Sequence, residues 1–150
     1  MSEVQQEQAP VAFIKKNQKQ VVYFFAAVLI AVIGYFGYTE LYQKPLEAKA
    51  ADAMYVAEKY FANDSSELVL NGDGTSKGVL YIIKEFGGTK AANLAKYYAG
   101  MSYYRLKDYN KAISCFKKAN SSDKKYADAY YNRGSSKQQL QDYKGAIEDY

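Results

Sequence analysis

Histidine and tryptophan are absent from this chain of 150 residues, and cysteine occurs only once. Without histidine the chain lacks the usual general base of enzymes and the commonest protein ligand of transition metals, which excludes triads of the serine-histidine type. Cys115 alone permits no internal disulfide, and between apolar neighbours on a helix we expect it to be an inert, packed side chain. These absences predict a protein that is not an enzyme and that binds no cofactor or metal.

One short motif resembles part of a metal site. Asn71, Asp73 and Thr75 have the spacing of the first three ligands of a calcium-binding loop. The sixth and twelfth positions of such a loop require glycine and glutamate, but Ser76 and Ile82 stand there. We therefore interpret the segment as a tight turn of the Asn-Gly and Asp-Gly type.

The chain is weakly basic, with a formal net charge of +4. Part of this excess precedes an apolar segment, and beyond residue 38 acidic and basic residues are interspersed. Such a surface is solvated, whereas a nucleic-acid-binding surface concentrates its basic residues in a patch or stripe. The sequence therefore predicts no nucleic-acid partner.

The apolar residues are concentrated in one segment, residues 21–38, which reads VVYFFAAVLIAVIGYFGY and contains no charge. Its length is about that of a helix that crosses a bilayer, and it shows no polar stripe of the kind found on a helix in a soluble core. A cleaved signal peptide is the alternative, but the segment ends in GYFGYTE, where cleavage requires small residues. We expect an uncleaved single transmembrane helix.

The charges on the two sides of this segment predict its orientation. Lys15, Lys16 and Lys19 precede it, whereas Glu40 is the first charged residue after it. By the positive-inside rule, residues 1–20 form a cytoplasmic tail, and the part that follows the span lies on the other side of the membrane. In a bacterial inner membrane, that side is the periplasm.

Three segments connect the span to the C-terminal part. Residues 39–62 predict a connection and an amphipathic helix, because apolar residues after Pro45 recur at spacings of three and four. Residues 63–75 are rich in turn formers and predict a loop. Residues 76–86 suit a helix that completes a degenerate hairpin begun at Pro45, although the apolar run 79–83 also suits a strand.

The C-terminal part contains an internal repeat with a period of 34 residues. The identical pairs are Ala95/Ala129, Tyr97/Tyr131, Gly100/Gly134, Ser102/Ser136, Leu106/Leu140, Asp108/Asp142, Tyr109/Tyr143, Ala112/Ala146 and Ile113/Ile147. The period, with G-x2-Y at Gly100 and A-x3-F ending at Phe116, resembles the tetratricopeptide (TPR) repeat. Gly100 and Ala112 would let the two helices of a hairpin approach closely, and Asp108 would cap the second helix.

The resemblance implies an all-α protein with TPR-like helical hairpins over residues 76–150, comprising one repeat at 93–126 and a partial repeat at 127–150. A stack of this kind needs about three repeats to bury a continuous core. Ala146, Ile147 and Tyr150 would lack packing partners. We therefore expect a solenoid truncated at the C-terminus, either part of a longer array or dependent on a partner chain.

Several positions depart from the TPR pattern. Lys96 and Tyr130 stand at the tryptophan position, Lys124 stands where proline is usual, Arg133 replaces a leucine and Lys137 replaces a tyrosine. The small and apolar residues of the repeat remain in place. We expect these departures to affect partner choice and curvature rather than the fold.

The order of parts resembles the ancillary subunits of the bacterial SecYEG translocon (the YfgM type). The segments LNGDG, residues 70–74, and EFGGTKAANLAKYYAG, residues 85–100, carry the likeness, which extends over about residues 20–120. The resemblance implies a single-pass inner-membrane protein with a periplasmic TPR domain. Its implied task is to hold or hand over newly translocated proteins, with translocon subunits, periplasmic chaperones and unfolded clients as partners.

Two other functions remain open. One is an import receptor of the mitochondrial outer membrane with cytosolic repeats that bind chaperone tails. Such a carboxylate clamp requires Lys and Asn, but Tyr97, Met101, Tyr131 and Ser135 occupy the groove positions and only Asn132 fits. The other is the anchor or scaffold part of a longer enzyme or assembly complex.

In TPR proteins the first helix of each unit lines the concave surface, which predicts a peptide-binding groove. Tyrosines with polar tips and an adaptable methionine suit extended segments of varied sequence. The groove residues are Tyr97, Tyr98, Met101, Tyr104, Arg105, Asp128, Tyr131, Asn132, Ser135 and Gln139.

The charge pattern generates a prediction about topology. In spheroplasts, external protease should remove the part of the chain after Tyr38 and leave the N-terminal tail protected, because the lysines hold that tail in the cytoplasm. Immunoblotting with tags at both ends measures this. A mature chain that begins near Tyr38 would contradict an uncleaved anchor.

Overall fold

A computed structural model of the chain describes residues 15–122 and 127–150, with no side-chain account of residues 120–122. Residues 1–14 of the expected cytoplasmic tail and residues 123–126 of the expected first repeat lie outside this description. The chain divides into two compact units, residues 1–42 and 43–150. The described residues form helices and no strand, which confirms the all-α fold.

The first unit contains helix α1, Gln18–Tyr38, after which a π-helical turn runs over Thr39–Gln43. No residue of α1 is buried. Within the described residues, the helical stretch that includes α1 is long and apolar enough to cross a membrane by length and composition. This observation is consistent with the single-pass anchor expected from the sequence.

The second unit begins with three helices, α2 (Lys44–Ala62), α3 (Ser66–Asn71) and α4 (Val79–Glu85). The segment 63–75 was expected to be a loop, but it contains α3. Val69 and Leu70 of α3 are buried in the same apolar cluster as Met54 of α2, and this burial outweighs the turn-rich composition around them. The run 79–83 is helical, not extended.

The turn between α3 and α4 is organised around Asp73. Its Oδ1 accepts hydrogen bonds from the backbone N–H groups of Thr75 at 2.9 Å and Ser76 at 2.6 Å, and its Oδ2 accepts one from the hydroxyl of Tyr60 at 2.7 Å. The bond from Ser76, followed by that from Tyr60, lowers the pKa of Asp73. The carboxylate therefore closes a turn and ties it to α2.

The two copies of the repeat form two helical hairpins. The first consists of α5 (Lys90–Arg105) and α6 (Tyr109–Ser122), and the second of α7 (Ala127–Gln139) and α8 (Tyr143–Asp149). Lys107 and Gln141, which are 34 residues apart, both have a φ of 63° in the turn of their hairpin. The sequence period is thus a period of backbone conformation.

Each hairpin closes on a glycine. A Cβ atom on Gly100 would lie 2.5 Å from Cε1 of Phe116, and one on Gly134 would lie 2.9 Å from Cε1 of Tyr150. The aromatic ring of the second helix therefore occupies the space that a side chain on the first helix would need. Ala112 and Phe116 are fully buried at the first of these crossings.

Helix α2 is joined to α5 through the carboxylate of Glu47. Its two oxygens accept hydrogen bonds from the backbone N–H groups of Lys90 at 2.9 Å and Ala91 at 3.0 Å. The hydroxyl of Thr89 accepts from the N–H of Ala92 at 3.0 Å, as expected for an N-cap. The first turn of α5 is thus satisfied partly by its own cap and partly by a residue 43 positions earlier.

The tight crossing of α5 and α6 generates a prediction about stability. Ala112→Leu should lower the free energy of unfolding by about 1–3 kcal/mol, because Ala112 is fully buried and the added atoms must displace their neighbours. Ala48→Leu, at an exposed position of α2, is the matched control and should have little effect. Urea denaturation of the full chain in non-ionic detergent, followed by circular dichroism, measures both. Equal midpoints for the two variants would contradict the tight crossing.

Candidate protein-binding groove

The expected groove residues lie on α5 and α7, the first helices of the two hairpins. Helix α5 contacts α2 on one side and α7 on the other, so that α2, α5 and α7 form a row. Tyr97, Tyr98, Met101 and Tyr104 are half-buried on α5. The row, rather than the two repeats alone, is the surface that positions these side chains.

Tyr98 and Arg105 contact the end of α2. The ring of Tyr98 lies edge-on to the ring of Phe61, with centroids 4.6 Å apart, and the guanidinium of Arg105 lies 4.1 Å above the same ring. Arg105 also pairs with Asp64 at 3.1 Å and donates a hydrogen bond to the carbonyl of Phe61 at 3.3 Å. Arg105 therefore acts first as a link between α5 and α2.

Tyr97 faces α7 instead. Its hydroxyl oxygen accepts a hydrogen bond from Nδ2 of Asn132 at 3.3 Å, and Asn132 also donates to the carbonyl of Asp128 at 2.7 Å. Burial raises the pKa of Tyr97, and the negative charge of Asp128 raises it further. The ring of Tyr97 lies 5.9 Å from that of Phe116, so that this tyrosine joins the groove to the hairpin core.

Two of the other expected residues share the apolar cluster of Tyr97, and the rest lie apart from it. Met101 and Tyr104 pack against the apolar cluster of Ala112 and Phe116. Tyr131 is exposed on α7 with its ring 5.5 Å from that of Tyr150, whose hydroxyl lies 3.4 Å from that of Ser135. Gln139 is also exposed. The expected residues thus fall into groups near α2, near the middle of the row and near Tyr150.

The sequence analysis missed the contribution of α2. Phe61 is half-buried against Tyr98, and Glu58 precedes Phe61 by three residues on the same face of the helix. The spacing of apolar residues in α2 marked it as amphipathic, but only the two 34-residue copies were used to define the groove. Among the described residues, no group of three or more Asp, Glu, His or Cys could hold a metal ion.

The second hairpin, which carries half of the groove, is held together by an ion cluster. The side chain of Asp149 is 2% exposed, and its carboxylate accepts hydrogen bonds from the guanidinium of Arg133, including one from Nε at 2.8 Å. Nζ of Lys137 lies 2.9 Å from the same carboxylate. Burial raises the pKa of Asp149, but the bonds from Arg133 and Lys137 outweigh burial and hold it below its usual value.

Arg133 and Lys137, which depart from the TPR pattern, are therefore explained by their ion pairs with Asp149. Counting back 34 positions, Arg133, Lys137 and Asp149 correspond to Ala99, Tyr103 and Cys115 of the first copy. These three residues belong to the apolar cluster around α5. One hairpin uses an apolar set where the other uses a charged set.

Comparison with known proteins agrees with this architecture. A family model of the TPR repeat matches residues 100–141, which cover the end of α5, all of α6 and all of α7. No curated protein and no solved structure matches the chain. The match supports a TPR protein. Repeats of this kind are typically non-catalytic modules that present an extended concave surface to protein partners.

The ion cluster generates a prediction about stability and pH. Asp149→Asn should lower the free energy of unfolding by about 2–4 kcal/mol at pH 7, because Arg133 and Lys137 lose the charge of their buried partner. Since the folded pKa of Asp149 lies below its unfolded value of about 3.9, the contribution is complete above that value. It is lost as the pH falls through the folded pKa.

Denaturation midpoints of the wild-type chain and of Asp149→Asn, compared at several values between about pH 3 and pH 7, measure this contribution. The control is a triple variant that carries the residues of the first copy, Arg133→Ala, Lys137→Tyr and Asp149→Cys, which should recover most of the loss. If Asp149→Asn unfolds at the same midpoint as the wild-type chain at pH 7, the cluster does not contribute to the free energy of unfolding.

Proposed function

We propose that the chain is a membrane-anchored scaffold whose α2–α5–α7 row binds extended or partly unfolded protein segments. The proposal rests on the partial exposure of Tyr97 and Tyr98. Asn132 contacts the first tyrosine and Phe61 the second, while part of each side chain remains exposed. Rings held in position lose little conformational entropy when they bind a partner. Met101 lies on the same helix, and its flexible side chain can adapt to different residues.

The location belongs to the same proposal. The apolar helix α1 and the lysines before it support a single-pass inner-membrane protein with its TPR domain in the periplasm. The likeness of residues 70–74 and 85–100 to ancillary SecYEG subunits supports a chaperone-like task at the translocon. There the groove would receive newly translocated chains and work beside periplasmic chaperones.

The test removes the open groove side chains. Tyr98→Ala, Met101→Ala and Tyr104→Ala together should lower photo-crosslinking to a translocating chain roughly tenfold in membrane vesicles, because aromatic anchors dominate binding at such surfaces. The control variant, Leu80→Ala with Tyr81→Ala, removes partly exposed apolar residues of α4 and should crosslink normally. Unchanged crosslinking in a folded triple variant would refute the groove.

Circular dichroism of the same preparations separates binding from folding. Tyr98 packs on Phe61, so the triple variant is expected to lose some stability while it keeps its helices. The single variant Met101→Ser provides a second test at a half-buried position of the same helix that leaves Tyr98 and its contact with Phe61 in place. Normal crosslinking by both variants, with normal helicity, would place the working surface elsewhere.

A further inference from the structure

Two carboxylates flank the tyrosines of the groove. Glu58 lies one turn before Phe61 on α2, on the face that meets Tyr98. Asp128 lies one turn before Asn132 on α7, on the face that meets Tyr97. Tyr97 and Tyr98 therefore each have a carboxylate nearby, contributed by a different neighbouring helix.

The pKa values of the tyrosines agree with this placement. Burial raises the pKa of Tyr98, and the charge of Glu58 raises it further. Burial and then the charge of Asp128 do the same to Tyr97. An added negative charge has this effect only when the carboxylate is close to the phenol.

Basic residues of the described chain do not neutralise these two carboxylates. Neither Glu58 nor Asp128 makes an ion pair within residues 15–122 and 127–150. Arg105, whose charge reaches Tyr97, is already paired with Asp64. On α5, Lys96 lies about 140° around the helix from Met101, and Lys90 lies about 10 Å along the helix from Tyr97. Beside Tyr97 and Tyr98, the charges of Glu58 and Asp128 are therefore not cancelled by any ion pair of the described residues.

We propose that the groove selects cationic segments of its protein partners, which refines the proposed protein-binding function and rests on it. One Lys or Arg side chain of the partner lies against Tyr98 beside Glu58, and a second lies against Tyr97 beside Asp128. An apolar residue between them covers Met101. A tyrosine face and a carboxylate both attract a cation, and the two effects add.

The same unit already contains the contact that we assign to the partner. The guanidinium of Arg105 lies 4.1 Å above the ring of Phe61 and 3.1 Å from the carboxylate of Asp64. This aromatic ring and carboxylate bind an arginine of the chain itself. The pairs Tyr98 with Glu58 and Tyr97 with Asp128 offer a similar combination of ring and carboxylate to another chain. Such a groove would prefer positive charge, whereas a groove that binds acidic tails prefers negative charge.

The test compares three short peptides of equal length in which leucine alternates with lysine, glutamine or glutamate. Fluorescence anisotropy with the full chain in non-ionic detergent measures their binding, and empty micelles serve as a blank. We expect the lysine peptide to bind best and to weaken as salt is added. Equal or tighter binding of the glutamate peptide would overturn the inference.

Removal of the two charges tests the assigned residues. Glu58→Gln with Asp128→Asn should weaken binding of the lysine peptide roughly three- to tenfold and leave the glutamine peptide unchanged. Asp52→Asn with Glu148→Gln changes the net charge equally at exposed positions and should have no such effect. Equal weakening by both double variants would reduce the preference to bulk charge and contradict the site.

A single variant tests the side of the site that belongs to α2. We choose this side because Lys124 and Lys125, which precede α7 in the sequence, lie outside the described residues. Glu58→Gln alone should weaken binding of the lysine peptide. If it does not, the site beside Tyr98 is wrong.

The outcomes also distinguish this inference from the proposed function. Suppose that the triple variant of Tyr98, Met101 and Tyr104 weakens all three peptides equally and that the charge variants have no effect. The groove then binds protein without charge preference, and only the cationic selectivity fails. If the triple variant leaves all three peptides unaffected, both the groove and its selectivity fail.

Discussion

The close approach of the two helices in each hairpin is the constraint on which the rest of the domain depends. A ring lies where a side chain on Gly100 would be, and the same arrangement recurs at Gly134. Because α5 and α6 meet so closely, Phe116 is fully buried, and the ring of Tyr97 lies tilted against it with the centroids 5.9 Å apart. Tyr97 and Tyr98 pack against this core while part of their surface remains exposed.

The tyrosines of the candidate groove consequently make contacts within the domain and still expose part of their surface. Tyr98 contacts Phe61 and Tyr97 contacts Asn132, yet neither tyrosine is buried. Contacts of this kind fix a ring without covering it, which is what a preorganised binding surface requires. The same contacts bring Glu58 and Asp128 to the two sides of α5. The charge and the rigidity that we propose for the groove therefore have one origin, the packing of α5 between α2 and α7.

Much of the fold could be predicted from the sequence because a period of 34 residues is a local and repeated signal. The hairpin crossing at Gly100 and the capping role of Asp108 followed from residue type and spacing alone. Helix α3 could not be predicted in this way, since its six residues are stabilised by the burial of Val69 and Leu70 rather than by propensity. The cap supplied by Glu47 depends on a contact between residues 43 positions apart, which no spacing rule indicates.

The charged set of the second hairpin has a consequence for how the chain finds its fold. Similar neighbouring repeats can pair with the wrong helix during folding, a known hazard of repeat proteins. If α8 paired with α5, Asp149 would face Ala99 and Tyr103 and would be buried without a cation. If α6 paired with α7, Arg133 and Lys137 would face Cys115 and would have no anion. The exchange of three residues between the copies thus penalises both mispaired hairpins, and each first helix is matched to its own second helix.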